Sequence, residues 1–394
     1  MNQRTILIPK NISFEVFEKL LKELEEEPEA VDLKIPFEVS YKGFGILPAV
    51  YSIIFTWMRS KKGRLIIPIK ITDEESIKHF TLDFYGYLVL STIWRHCEII
   101  NEEGESLRST FRKYTPVIHF YIESLSEKLP NEDILIPCFD HYSNEKGLSH
   151  WFYTEKFNFW QTPFDFDNSL FLILKHLSKI YTNRLSNNIA DSFESLLKII
   201  WELLKNTDEH AKKDYLDQVK LTPNTRGMFL RIQRSSKRNF IDNTNHRGLK
   251  TYYESALIDS GQSFILEISI FDSGPGLVKR FLREKWLSNQ PIQEDIDTIR
   301  KCLIKGQSSV TNNETKSKGF GLDEVLKLLN QKKGFLKIRT GRVSVYRDLI
   351  ISPYKSTTVP HEIELYDWIK CNHSSYSEMA NVEGTLITLA YPLN

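Results

Sequence analysis

The chain has 394 residues, with 52 Lys and Arg against 51 Asp and Glu, and hydrophobic residues make up 41%. That length suits two domains better than one, and that apolar fraction supplies real cores, which excludes wholesale disorder. A net charge of +1 excludes a global attraction to nucleic acid or anionic lipid, so any such binding needs a local patch.

Cys97, Cys138, Cys302 and Cys371 form no Cys-x-x-Cys pair, which argues against a zinc knuckle and for isolated thiols in a reducing compartment. The opening MNQRTILIPKN lacks the basic start, apolar core and small-residue cleavage site of a signal peptide. No apolar run approaches the ~20 residues that cross a membrane. The expectation is a soluble, cytoplasmic protein. Its richness in Lys, Asn and Ile fits an AT-rich bacterial genome.

Residues 1–150 read as an N-terminal α/β domain. Residues 6–8 begin a short apolar strand. Residues 14–27 form an acidic amphipathic helix, with Phe14, Phe17, Leu20, Leu21 and Leu24 at helical spacing. A strand is expected over 33–39, a helix over 48–59, a β-branched strand over 64–71 and one long apolar helix over 80–100. This order loosely resembles a STAS-like module, which would imply a role in partner contacts. Residues 134–139 (ILIPCF) read as a strand that Pro137 confines to a sheet edge. An apolar helix over 168–181 then opens the second domain, expected over 165–394.

The chemistry concentrates in that second domain. Residues 191–211 form a helix whose buried stripe includes Phe193, Leu196, Ile200 and Leu204. Glu202 and Asn206 lie four apart and project together on another face. An amide oxygen there suits Mg²⁺, and a carboxylate can take a proton from an attacking water. Residues 264–276 (FILEISIFDSGPG) read as a strand running into Asp272, followed by Gly274 and Gly276. A carboxylate at a strand end can accept from an exocyclic amine, and glycines let the backbone approach a ligand. Lys318, Gly319, Gly321 and Leu322 start a further helix, where exposed N–H groups favour a polyphosphate. The polar stretch 306–318 has few apolar anchors and suits a lid. Residues 383–392 alternate as a final strand, with Thr385 near its start offering a hydroxyl. Each feature also has an ordinary reading, as a solvated helix face, a turn, a loop or a β residue.

Together, a Glu-x-x-x-Asn helix, an Asp-x-Gly-x-Gly turn, a polar lid, a Gly-x-Gly helix start and a Gly-Thr strand resemble the GHKL superfamily. That superfamily includes DNA gyrase, heat-shock chaperones, sensor histidine kinases and MutL-type mismatch-repair ATPases. The resemblance covers residues 185–394. It implies a Bergerat-type α/β sandwich with helices on one face of a mixed sheet, and ATP and Mg²⁺ as ligands. It makes Asn206 the metal ligand and Glu202 the general base. Asp272 becomes the adenine reader, with Gly274 and Gly276 shaping its pocket. Lys318, Gly319, Gly321 and Leu322 would cradle phosphates, and Thr385 would stand near the base. The segments 235–262 and 351–382 depart from familiar members as inserts, and a hairpin is expected over 335–346.

His119, His141 and His150 lack the context of a phosphoacceptor, and His176 lies on an apolar helix, so kinase activity in cis is not expected. The favoured expectation is a Mg²⁺-dependent ATPase working as a conformational switch on a protein partner met through the N-terminal half. A place in a bacterial multi-component system, such as phage defence, and a homodimer would both fit the resemblance. The alternatives are a protein kinase acting on a separate partner, a nucleic-acid-binding ATPase using Arg226, Arg231, Arg234, Lys237, Arg238, Arg247 and Lys250, and a structural protein with a degenerate site.

Overall fold

A computed structural model describes residues 4–41, 43–179, 183–304 and 321–393. The chain is α/β, built on one parallel and one antiparallel sheet.

The parallel sheet carries β1 (Thr5–Leu7), β2 (Val31–Lys34), β3 (Lys62–Ile66) and β4 (Ile99–Ile100), paired in chain order. Helices α1 (Phe14–Glu26), α2 (Ile46–Ser60), α3 (Glu74–Leu82) and α4 (Phe84–Ile93) supply the crossovers, and α5 (Arg108–Phe111) and α6 (Thr115–Glu123) follow. The Ser13 hydroxyl caps α1 by accepting from Val16 N, and the helix buries Phe17, Leu20, Leu21 and Leu24. β2 and β3 stop short of the expected 39 and 71. Pro36 and Pro68 follow closely and cannot donate to a ladder.

The expected single helix over 80–100 is corrected. The chain turns extended at Asp83, whose carboxylate accepts from Tyr85 N (2.8 Å) and so starts α4 anew. Ile99 and Ile100 leave the helix for β4. An apolar run alone does not distinguish buried helix from buried strand.

The second half adds β5 (Asp133–Phe139), α7 (Asn144–Gly147), α8 (Asp167–Ser178), α9 (Asn183–His210), β6 (Thr225–Ser235), α10 (Lys237–Asp242), α11 (Arg247–Ala256), β7 (Ser263–Asp272), α12 (Leu277–Leu282), α13 (Ile292–Cys302) and α14 (Gly321–Gln331). It closes with β8 (Phe335–Gly341), β9 (Val343–Asp348), β10 (Tyr366–Asp367) and β11 (Val382–Pro392). The sheet order is β10-β9-β8-β11-β7-β6-β5.

This sheet differs from the expected one. Every described pairing is antiparallel, not mixed. Both of its faces are covered. On one, Tyr51 and Phe55 of α2 pack on Phe271 of β7, at ring separations of 5.7 and 6.4 Å. On the other, α9 packs on β6 and β7. β5 lies before residue 150, yet it is the edge strand of the large sheet, with Pro137 opposite Gly227. The segment 235–262 contributes α10 and α11, and Tyr252 and Tyr253 of α11 join a small core with Phe335, Tyr346 and Trp368.

Every residue of α2 from Ile46 to Met58 is buried. A helix apolar all round must lie inside a protein, and α2 lies between the two sheets. One contiguous buried cluster runs from Ile6 to Leu393. Trp57 sits within it at 0% exposure and donates from Nε1 to Val31 O (2.6 Å). Trp57→Ala should cost about 3–5 kcal/mol. Because the core is shared, urea unfolding should still proceed in one transition. Separate transitions for the two halves would contradict this packing.

Candidate functional site

The sheet places several of the expected residues together through its register. Arg226 of β6, Asp272 of β7, Thr385 of β11 and Thr340 of β8 form one row across the strands. Side chains alternate along a strand, so these four share a face. It is the α9 face, because Phe271, one residue from Asp272, points at α2.

Glycines draw the turn after Asp272 against its neighbours. A Cβ on Gly274 would lie 2.7 Å from Ala211 Cα, at the end of α9. A Cβ on Gly276 (φ +84°) would lie 2.8 Å from Thr340 Oγ1. The Asp-x-Gly-x-Gly turn therefore touches the α9 helix end and β8 at distances that side chains would forbid. Asp272 Oδ1 accepts from Gly274 N (2.7 Å), and Thr340 Oγ1 accepts from Leu277 N (3.0 Å). The Thr340 and Thr385 hydroxyl oxygens are 3.2 Å apart.

Asp272 is 8% exposed. Burial raises its carboxyl to about 6, against the opposing pull of the Gly274 and Thr385 N–H groups and of Arg59 and Arg226. The carboxylate is ionised at neutral pH and already accepts from those two N–H groups.

Glu202 is buried on α9, and Asn206 is half-buried one turn on. The Asn206 Nδ2 atom is buried without a hydrogen-bond partner among the described residues. Turning the amide over would present its oxygen in the same place, so the group fits a hard cation that prefers oxygen. Asn206 precedes Ala211 by about 7.5 Å of helix rise. Glu202 and Asn206 thus lie up the helix from the Asp272 turn. α14 packs along α9 and begins at Gly321 (φ +74°), while Leu322 packs on the core. Its first-turn Asp323 is engaged by Lys327, Tyr354 and Ser356. Lys318, Gly319 and the expected lid lie outside the described residues.

Sequence reading missed the polar cluster behind this row. Arg226 is 1% exposed and is held through Nε and Nη2 by Asp140 (2.9 Å each). It also meets Asp208 of α9 (3.2 Å), to which the Tyr153 hydroxyl donates. The cluster pins the end of α9 to the end of the sheet. His210, beside it on α9, is drawn down to about 4 by burial and by Arg280, so it is neutral at pH 7.

Of the expected basic patch, Arg226 and Arg231 are buried in ion pairs, whereas Arg238 is exposed. Arg226 is committed as above, Arg231 pairs with Asp133, Lys237 with Asp259 and Arg238 with Asp242. Arg247 donates to Lys370 O. His176 is buried and bonded to Pro130 O (3.2 Å), as expected for a packed histidine. A shallow groove beside the turn is lined by Gly276, Lys279, Trp286, Thr340, Arg342 and Asn381. No cluster of metal-ligating side chains occurs among the described residues, and none of their helices is long and apolar enough to cross a membrane. No protein-family model, no curated protein and no solved structure matches the chain.

Gly384 (φ +81°) lets β11 approach β7, since a Cβ there would lie 1.8 Å from Asp272 O. Gly104 has a similar φ (+83°) but open space around its Cβ position. Gly104→Ala should cost about 1 kcal/mol, from backbone strain alone. Gly384→Ala adds a backbone clash and should cost about 3 kcal/mol or more. Equal thermal shifts in the two variants would contradict the close approach at Asp272.

Proposed function

We propose that the chain binds ATP with Mg²⁺ between α9, the Asp272 turn and the start of α14, and hydrolyses it as a nucleotide-driven switch. The observation that carries this reading is the meeting of the Asp272–Thr385 pair with the Gly274 and Gly276 turn against α9. Resemblance to GHKL ATPases supplies the ligand.

In this reading the Asp272 carboxylate accepts from the exocyclic amine of adenine. The Thr385 hydroxyl, already near Thr340, meets the purine edge. Guanine carries a carbonyl where adenine carries that amine, so an ionised carboxylate would repel it. The phosphates run toward the N-terminus of α14, where Lys318, Gly319 and Gly321 would hold them, with Leu322 anchoring the helix. The Asn206 amide oxygen would hold Mg²⁺, which offsets charge on the phosphates when bound. Glu202 orients a water and takes its proton as the water oxygen bonds to the γ-phosphorus and the bond to the β-γ bridging oxygen breaks. ADP and inorganic phosphate leave. Burial of Glu202 keeps competing water away from that proton transfer.

Two measurements test the assignment. Glu202→Gln should lower steady-state phosphate release by about 10²–10⁴-fold and leave ATP affinity within a few-fold of wild type. Unchanged turnover would remove Glu202 from the base role. Asp272→Asn should weaken ATP binding by about tenfold or more in calorimetric titration. The pH profile gives an independent check. The Asp272 carboxyl is raised to about 6, so it takes up a proton, and stops accepting, as pH falls through that value. ATP affinity should therefore drop below pH 6 in the wild type and stay flatter in Asp272→Asn.

A further inference from the structure

Helix α2 belongs to the parallel-sheet unit, yet the large sheet holds it at both ends. At its start, Gly45 N donates to Glu267 Oε1 (2.9 Å), a fully buried carboxylate whose other oxygen accepts from Gln233 Nε2 (2.6 Å). At its end, Thr56 Oγ1 accepts from Glu383 N (3.0 Å). The same hydroxyl donates to Ser52 O (2.7 Å), which aims its lone pairs away from its own helix. Arg59 donates to Glu383 Oε2 (3.2 Å) and to Pro223 O (3.1 Å). Both grips at this end fall on one residue, Glu383.

Glu383 sits where β11 is irregular. Its pairing with β8 shifts between Val382 and Thr385, and Gly384 takes its positive φ within that shift. The irregularity adjoins the last pair of the regular β11–β7 ladder, Thr385 with Asp272, where a slip of one position would turn the Thr385 side chain to the α2 face.

We propose that the end of α2 is a positioning element of the nucleotide site. Thr56 and Arg59, residues of the N-terminal unit, hold the bulge at Glu383 and Gly384, next to the Thr385–Asp272 pair, and so steady that end of the ladder. Base recognition and the seating of α2 are then a single equilibrium. By reciprocity, a nucleotide that needs Thr385 in place stabilises the docked α2 by the same factor that docking adds to its affinity. This rests on the ATP reading above and names how the N-terminal half would sense the nucleotide. Both side chains grip Glu383 and touch no ligand, so they are positioning residues, and Arg59 also bears on the Asp272 carboxylate by its charge.

The test uses the full chain, with Mg²⁺, ATP and GTP as probes. Thr56→Val removes the acceptor with little change in volume, and Arg59→Gln removes the grip on Glu383. Each should raise the Kd for ATP on the order of tenfold. The weak binding of GTP should stay unchanged, so selectivity between the nucleotides shrinks. Arg59→Lys, which keeps the charge, should recover part of the loss. In the unmutated protein, saturating ATP should slow backbone amide exchange across residues 46–60, and that measurement depends on no variant folding. Unaltered ATP affinity and selectivity in both variants overturn the proposal while leaving the ATP site intact. Unaltered exchange across 46–60 in ATP-saturated protein does the same. Failure of the unmutated chain to bind ATP overturns the nucleotide reading and the proposal together.

Discussion

Antiparallel pairing of β6, β7, β11 and β8 is the constraint on which the rest depends. Backbone hydrogen bonds fix which residues stand opposite one another, and they set Arg226, Asp272, Thr385 and Thr340 in one row. A one-residue slip in any of these ladders would turn a member of the row to the other face. The core opposes such a slip. Phe271 would leave Tyr51 and Phe55, and Ile270 and Ile387, which face α9, would turn toward α2. The loss of several buried apolar side chains, at about 1.5–3 kcal/mol each, outweighs any gain a shifted register could offer.

The covered second face accounts for the polar groups buried at the sheet. Glu267 lies between β6 and β11 yet caps α2 through Gly45. Arg339 reaches Glu18 of α1 through both oxygens (2.8 and 2.9 Å). Lys337 lies between the Phe14 and Trp368 rings, where burial drives its amine well below the usual lysine range. Buried ionic groups add little net stability against apolar ones, but removal of one partner leaves an uncompensated charge. Such contacts select one placement of α1 and α2 over others of similar area.

Much of this was legible in the sequence. The helical spacing of Phe17, Leu20, Leu21 and Leu24 is strictly local, and so is the alternation through Ile268 and Ile270. The Asp272 turn and the β8–β9 hairpin follow from glycine chemistry. What escaped is what depends on distant segments. Pro137 marked an edge strand, but nothing local says that the edge belongs to a sheet begun nearly a hundred residues later, at Thr225. The apolar run over 80–100 hid a helix start at Asp83 because the break is made by one side chain. Arg226 looked like a surface cation, since a basic residue in sequence carries no sign of the two aspartates that bury it. The Asp272–Thr385 pairing was readable as motif order, whereas the grip of Thr56 and Arg59 on Glu383 spans over three hundred residues and has no local trace.

Charge at the sheet end bears on which way a nucleotide could lie. Asp140, Asp208, Asp272 and Glu383 gather there against Arg59, Arg226 and Lys212. Arg226 is fully committed between Asp140 and Asp208, and Arg59 is turned to Glu383 and Pro223. With Asp272 ionised, carboxylates outnumber cations in a poorly solvated place. A polyphosphate there would meet repulsion of about 4 kcal/mol per pair of charges at 4 Å, for an effective dielectric constant near 20. A neutral purine would meet none, and its amine would find an acceptor. At the start of α14, Lys327 pairs with both first-turn carboxylates, Asp323 and Glu324, and Tyr354 and Ser356 also donate to Asp323, which offsets part of the acidic charge at the positive end of the helix dipole. In the proposed reading the base therefore lies at Asp272 and the phosphates at α14, with Asn206 and Glu202 along the helix between them.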